Sequence, residues 1–587
     1  MYLPTLDEIR QSRLNTEVFR GRNHNLRIGS GEWYETRNTC ASYYPLFSNR
    51  RARGIVAQCN EPHAMLAKDA LMYIDGSAVI YNGYPIPGIN LSTAEDMLPK
   101  QMVSMGAYAV IFPDKVYINT TDLSDCGSIE ARFVAASNDT VTLQMCRADG
   151  SAYEVAHTGD TEPETPANGD YWIDTSGSIH VLKQYSESAG MWMDVATTYV
   201  RIGCQGIDND FRLGDGVTIG GLSGTDQVAA LNVDNIIEDL GEDYIVVTGI
   251  LDAIHTQSGG LTAARLCPDM DYVTESNNRI WGCKYGYVNG QTINEIYACK
   301  LGDFRNWRCY AGLSTDSYAV SVGTDGRFTG AITHLGYPLF FKENCIHKIY
   351  GSMPSQYAMN TTMCRGVQLG SWKSLAIVNE VLYYHSREGV VAYDGSLPVS
   401  VSEHLGTERY SSAAAGSLGA VYYISMQDIE GIWHMFTYDT EKRIWHREDN
   451  THALCFANVR GDLMYMDADS KGLISASGVS GTPEGPIEWS ATSGVMGYEY
   501  PDSKYLSRYN LRVKLGAGAE LTMYIEYDSD GEWHDMGTYT GTELLRTITI
   551  PVIPRRCDHL RLKLSGIGDV KLYSITRYLE GGSDHWL

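Results

Sequence analysis

VLYYHSREGVVAYDG (residues 381–395) and AVYYISMQDIEGIWHMFTYDTEKRIWHR (420–447) decide the fold. In each, a run of β-branched and aromatic residues ends at a turn and is answered by a second run closing on Tyr393-Asp394 or Tyr438-Asp439. Such side chains fit a pleated, half-buried surface, and turn residues between two such runs specify a hairpin. RIWHR (443–447) adds a further strand to the second unit. The pattern recurs in RIWGCKY (279–285) with EIYACK (295–300), in YPLFFK (337–342) with CIHKIYG (345–351), and in DLMYMD (462–467). Hairpins return at roughly 40 to 50 residues, the period of propeller blades. The predicted fold is all-β: a β-propeller with inserted small β domains and a C-terminal β-sandwich. The blade number is left open, and a run of unrelated sandwiches is the other arrangement these strands allow.

Upstream, ALMYI (70–74) and SAVIY (77–81) flank Asp75-Gly76, while YAVIF (108–112) and KVYIN (115–119) flank Pro113-Asp114. Asp-Gly between apolar runs is a strong hairpin signal, and the two hairpins together read as one four-stranded sheet. Residues 1–123 are thus assigned to an N-terminal arm and first blade, and 259–480 to the remaining blades. Residues 124–258 interrupt the array. Their polar loop TGDTEPETPANG (158–169) precedes DYWID (170–174), SIHVLKQY (178–185) and MWMDVATTYVRI (191–202). A second unit runs from FRLGDGVTIG (211–220) to DYIVVTGI (243–250). An insert that splits one repeat array should project from a blade and serve contacts. Residues 481–587 alternate cleanly in LTMYIEYD (521–528), TITIPV (547–552) and HLRLKL (559–564), the pattern of a sandwich with Trp489, Trp533 and Tyr573 in its core. Helical signals are few: Thr5 capping residues 6–13, Ser92 with Glu95, and NIIEDL at 235–240.

The chain has 587 residues, enough for several domains, since single cores stop growing at about 250 to 300. Lys+Arg 46 against Asp+Glu 71 gives a net charge of −25, the wrong sign for a protein that grips phosphate by counterion release. An acidic wall can instead let DNA slide past. The 13 Cys form no Cys-x-x-Cys and no Cys/His cluster, so neither a disulfide framework nor a structural metal is expected. MYLPTLDEIR carries acids and no apolar stretch, so no secretory leader is expected, nor any membrane segment, and assembly is expected in the cytoplasm. The 40 Tyr and 59 Gly beside 18 Pro suit short strands joined by glycine turns.

Arg50, Arg51 and Arg53 follow YYPLF, and with Arg37 they form a candidate phosphate or subunit contact set. Arg555 and Arg556, between a proline and a strand, are further contact candidates whose simpler roles are to lock a turn or pair with an acid. DSDGEW (528–533) lacks the spacing of a calcium loop and reads as a hairpin turn. His334, His347, His385 and His434 lie on strands, where a hydrogen-bonded core or lumen histidine is the ordinary reading. No catalytic, cofactor or metal motif stands out, so no catalytic residue, no cofactor and no enzymatic activity are expected.

Five stretches carry a resemblance. FRGRNHNLRIGSGEWYETRN (19–38), SYYPLFSNRRARG (42–54), FKENCIHKIYG (341–351), PRRCDHLRLKL (554–564) and GIGDVKLYSI (566–575) resemble virion proteins of phages of Gram-positive bacteria, the packaged-DNA-stabilisation and tail-nozzle proteins. The resemblance implies a homo-oligomeric ring, often six copies, in the phage tail or neck below the portal and adaptor. There it would extend the channel for double-stranded DNA without reading its sequence. The insert lies outside the resemblance, and no catalytic residue carries over. The alternative is a tail-tip receptor-binding or glycan-processing propeller, favoured by the aromatic residues Tyr171, Trp172 and Trp192 of the insert.

Overall fold

The computed structural model describes residues 11–94, 99–288, 290–497, 504–553 and 555–581. Among them the only α-helix is Asp226–Ala230, and strands make up the rest of the framework. No helix among these residues is long and apolar enough to cross a membrane.

Seven antiparallel sheets form the propeller: blade 1 (62–85), blade 2 (101–128), blade 3 (272–321), blade 4 (330–363), blade 5 (376–400), blade 6 (410–447) and blade 7 (453–483). Their first strands touch in order around a circle, with Trp372–Ser374 bridging blades 4 and 5 and Ala453–Val459 meeting Pro62–Lys68 to close it. Each of the seven gaps between blades holds its own apolar cluster. Such side chains contribute about 1.5–3 kcal/mol each when fully buried, so closure is driven by side chains between sheets rather than by the ladders alone. The hairpins at 70–81 and 108–119 belong to two separate blades, not to one sheet as their proximity suggested. Each gains its own outer strands, Tyr84–Pro85 and Cys126–Ser128, which are too short to carry a periodic signal.

The N-terminal segment is not a free arm. Gly54–Gln58 pairs with Gly472–Ser475 and completes blade 7, so the two ends of the array are hydrogen-bonded together. Gln11–Thr16, Thr39–Cys40 and Phe47–Asn49 join one sheet of the C-terminal sandwich, and Trp33–Arg37 joins the other. Phe19, Trp33 and Phe47 pack with Trp489 in the sandwich core. Trp489 is buried as expected, whereas Trp533 and Tyr573 are half-exposed, and Trp533 lies beside the cations of Arg561 and Lys563.

The insert spans 131–265, because Thr262–Arg265 pairs with Ala131–Val134 and His255–Ser258 with Thr140–Cys146. Its two main sheets share one core and carry a third small sheet between 155 and 194. NIIEDL at 235–240 forms parts of two short strands rather than a helix: Asn235 and Ile236 answer Val217 and Gly216 across a ladder. Asp215, held by Arg265 and by Asn306 (2.9 Å), fastens the insert to blade 3. The expected helix at 6–13 and the Ser92–Glu95 box fall largely outside the described residues.

Candidate functional site at the propeller axis

The segment 366–375 leads from blade 4 into blade 5 and turns across the axis. Gly366 passes so close to the carbonyl of Lys342 that a Cβ there would lie 1.8 Å from its oxygen. The short 3-10 turn Trp372–Ser374 that follows is anchored from beneath. Ser371 Oγ meets His385 Nδ1 at 3.0 Å, His385 N–H donates to Ser374 Oγ (2.9 Å), and Tyr422 O–H donates to the Ser374 carbonyl (2.7 Å). Burial pushes His385 down to about 4, so the imidazole is neutral and its hydrogen bonds define its orientation.

This anchored turn presents two side chains to the centre of the ring. Lys373 Nζ donates to the carbonyl of His63 in blade 1 (3.3 Å), and Trp372 meets Tyr272 of blade 3 with ring centroids 5.9 Å apart. Blade 5 is not adjacent to blade 1, so the Lys373 contact spans the ring of blades, whereas Trp372 packs on Gly330 of blade 4, next to blade 3. Lys373 is half-buried. Burial pulls its ammonium below the ordinary lysine range, and the thiol of Cys455 offsets this only in part. His452, pushed down by burial, lies near it together with Asp469 and Asp467. On the blade 6 and 7 side, Trp433 stacks on His452 at 3.9 Å with planes 10° apart, and His452 Nδ1 lies 3.8 Å from Asp469.

His63 Nε2 and Asp467 Oδ1, the latter close to His452, are buried without a hydrogen-bond partner.

The arginines read from the sequence lie elsewhere. Arg50 and Arg53 are buried between the sandwich and blades 6 and 7 and face acids, not phosphate. Arg50 is clamped by Glu484, and Arg53 pairs with Glu448 (2.6 Å) and Asp449 (2.7 Å) over the ring of Tyr465. The expectation that these two meet phosphate or a neighbouring subunit is therefore corrected: the carboxylates have taken their donors, and the site is closed. Although burial opposes charge on Arg53, Tyr465, Glu448 and Asp449 outweigh it and raise its pKa. Arg37, Arg51, Arg555 and Arg556 are exposed. Arg555 pairs with Asp530 (3.2 Å) across the hairpin turn at 528–533. Asp530, Glu532 and His534 could hold a cation there, but Arg555 already occupies Asp530.

Trp172 and Trp192 pack edge to face (5.6 Å) inside the small sheet of the insert, so they form its core and leave no open aromatic cleft. Among the four strand histidines, His334 meets the Glu380 carbonyl (2.6 Å), His347 lies between Thr324 and Thr361, and His434 bonds Asp428 (2.7 Å). A cleft of about 190 Å³ between blades 5 and 6 gathers Glu388, Glu403 and Glu408. Glu388 is paired with Arg365 (2.6 Å), and Glu408 accepts from Tyr410 (2.6 Å) and Arg22 (3.3 Å). A separate cavity of about 300 Å³ opens in the sandwich between residues 27–33 and 493–497. Sequence reasoning passed over Trp372 and Lys373 because one aromatic and one basic residue in a loop carry no periodic signal.

No known protein family matches the chain, and no curated protein does. Solved structures similar to it include a glycoside hydrolase (10% identity, 51% of this chain and 96% of that one, TM-score 0.19). A glycoside hydrolase family 43 arabinoxylan arabinofuranohydrolase from Bacillus subtilis matches at 9% identity, over 52% and 94% of the chains, with a TM-score of 0.17. An exo-beta-1,3-galactanase from Phanerochaete chrysosporium matches at 9%, over 75% and 100%, with a TM-score of 0.15. These three structures are glycan hydrolases, so the expectation of a chain without enzymatic activity is withdrawn.

Proposed function

We propose that the chain is a structural virion protein that forms a homo-oligomeric ring in a phage tail or neck, extending the path of packaged DNA below the portal and adaptor. The observation that carries this reading is the placement of the segment bearing the N-terminal resemblance. Residues 19–54 weave between sandwich and propeller: Arg22 N–H donates to the Trp445 carbonyl (2.6 Å), and Arg22, Arg50 and Arg53 are all buried in the joint. Gly21, at φ +73, passes where a Cβ would lie 2.4 Å from the Trp445 oxygen, so the two bodies meet backbone to backbone. A chain that spends its distinctive sequence on a rigid weld suits a building piece held in a fixed place. Electron cryomicroscopy of the particle carrying this chain is expected to show its copies in a closed ring on the particle axis around DNA density. Isolated copies projecting from the host-facing tip would overturn the ring.

The axial mouth favours a second reading, a receptor-binding or glycan-processing propeller. Release of new reducing ends from host-wall glycans by the purified chain would select its enzymatic form, and saturable glycan binding without such release its receptor form.

A further inference from the structure

We infer that the outer face of one sheet of the C-terminal sandwich, the sheet that the N-terminal strand Gln11–Thr16 joins, binds the phosphate backbone of double-stranded DNA without reading its bases. This face would touch the DNA of the first reading above, on which the inference rests for the kind of nucleic acid, whereas the phosphate chemistry comes from the face itself.

In Lys504–Leu515 the residues Leu511, Val513 and Leu515 fill the sandwich core, so Asn510, Arg512 and Lys514 point outward. Across the ladder Tyr578 lies between Arg13 and Arg508, Arg512 lies opposite Thr547, and Lys514 lies opposite Lys571. Arg13, Arg508, Arg512 and Lys514 are exposed and Lys571 is half-exposed. Among the described residues none of the five is in an ion pair. Carboxylates stand at the ends of these strands: Glu17 accepts from Asn15 (2.7 Å), Glu580 is bonded to Tyr505, and Glu543 and Asp569 sit in turns beside Leu515 and Gly516. Like charges directly opposite on a sheet destabilise it, yet Lys514 faces Lys571, and two guanidiniums share the ring of Tyr578 at 5.8 and 4.2 Å. In a chain of net charge −25, acids to neutralise them are not scarce. Cations left unpaired in that setting call for an anion from outside.

The neighbours of the cations choose the anion. Asn510, Thr547, Thr549 and Ser574 lie in the same outer rows, and phosphate contacts are made by Arg and Lys together with such hydroxyl and amide groups. An acidic protein would need an apolar centre to its interface, where charged residues are depleted. The exposed apolar residues of these strands, Leu545 and Pro551, are both on the edge strand Leu545–Pro551. A single strand would need open aromatic rings on which to stack its bases. Tyr578 is covered by Arg13 and Arg508, and Tyr43 by Lys571 (4.0 Å), so the face offers a duplex backbone contacts and offers bases none. From Arg508 to Lys514 the face runs about 20 Å, the length of about six phosphates of one DNA strand. The screening length of about 10 Å at 0.1 M salt is shorter than this face, so repulsion from the rest of the acidic chain does not cancel its attraction.

The test titrates the full chain into fluorescently labelled DNA of about 20 base pairs, about 70 Å long at 3.4 Å per pair, and follows anisotropy from 0.1 to 0.3 M salt. Saturable binding is expected, equal for two unrelated sequences, with log K falling against log salt at a slope no steeper than about −4.5, the value for five phosphate contacts. The double variant Arg508→Gln with Arg512→Gln should weaken binding at 0.1 M by about tenfold or more and make the slope shallower by about 2. Arg387→Gln, an exposed cation of blade 5, should change neither. Circular dichroism melts that match the parent chain identify variants that keep the fold. No saturable binding at 0.1 M, or binding and slope unchanged in the folded double variant, would overturn the site. Polyglutamate bound as tightly as the duplex would make the face a dock for acidic protein and overturn DNA, and a single strand of the same length bound more tightly than the duplex would overturn the duplex backbone. A ring around DNA in the particle, built from a chain that fails this test, would remove the face and leave the ring standing. Passing the test in a chain whose copies stand isolated at the tip would remove the ring and keep the phosphate face.

Discussion

Arg53 and Arg555 are both arginines of candidate contact stretches, and burial separates their roles. Arg53 is 6% exposed and holds Glu448, itself 4% exposed, at 2.6 Å. Removing one partner of a buried pair leaves the other charge uncompensated, so Arg53→Ala is expected to cost about 3–5 kcal/mol in urea unfolding. The half-exposed Arg555–Asp530 pair should cost no more than about 1 kcal/mol in Arg555→Ala. Equal losses in the two variants would show that the joint is not held by its ion network. Acid probes the same place. Burial alone would raise the Asp449 carboxyl, but Arg53 and Thr451 bring it down to about 2. A carboxyl with a depressed folded pKa contributes its stability above the unfolded value of about 4 and loses it as pH falls toward the folded one. Unfolding midpoints should therefore drop between about pH 4 and pH 2, and Asp449→Asn should flatten this part of the profile.

At the level of elements, closure of the ring of blades rests on one strand far from its partners in sequence. Gly54–Gln58 lies between Gly472–Ser475 and Thr482–Pro483, and a Cβ on Gly54 would lie 1.9 Å from the Ser480 carbonyl oxygen. Gly54→Ala should force that backbone apart and destabilise by about 1–3 kcal/mol, as overpacking does. Gly485→Ala, where a Cβ meets nothing within 4 Å, should stay within about 0.5 kcal/mol. A thermal melt of each variant decides it, and a Gly54→Ala midpoint equal to that of Gly485→Ala would deny the closing strand its role. This strand also lies beyond what the sequence makes legible. Blades 3 to 6 are readable because alternation and turn residues are local, as in 381–395. The partner of residues 54–58 lies more than 400 positions away, and no local pattern encodes a pairing of that span. The insert shows the same limit at smaller scale. Its interruption of the array is visible, but its last strand, Thr262–Arg265, lies beyond the expected end at 258 and belongs to it through pairings with 131–134 and 218–220. The buried arginines of the joint read as surface cations because Glu448, Asp449 and Glu484 are equally remote.

For the whole molecule, charge and assembly act against each other. Each copy carries −25, so bringing copies side by side in the proposed ring raises their mutual repulsion. Ordinary salt limits the range of that repulsion: the screening length is about 30 Å at 0.01 M and about 8 Å at 0.15 M. Contacts made by apolar patches and β edges lose nothing on screening, whereas contacts made by ion pairs between copies weaken with it. The exposed arginines are few beside the acids, so repulsion outweighs attraction between copies. Sedimentation of the purified chain is expected to show single copies at 0.01 M salt and a growing ring-sized species toward 0.15 M and above. A ring that forms at low salt and dissociates as salt rises would mean that complementary charges join the copies. The contact would then belong to Arg37, Arg51 and their exposed neighbours facing acids of the next copy, the role left to them once Arg50 and Arg53 are buried within the joint.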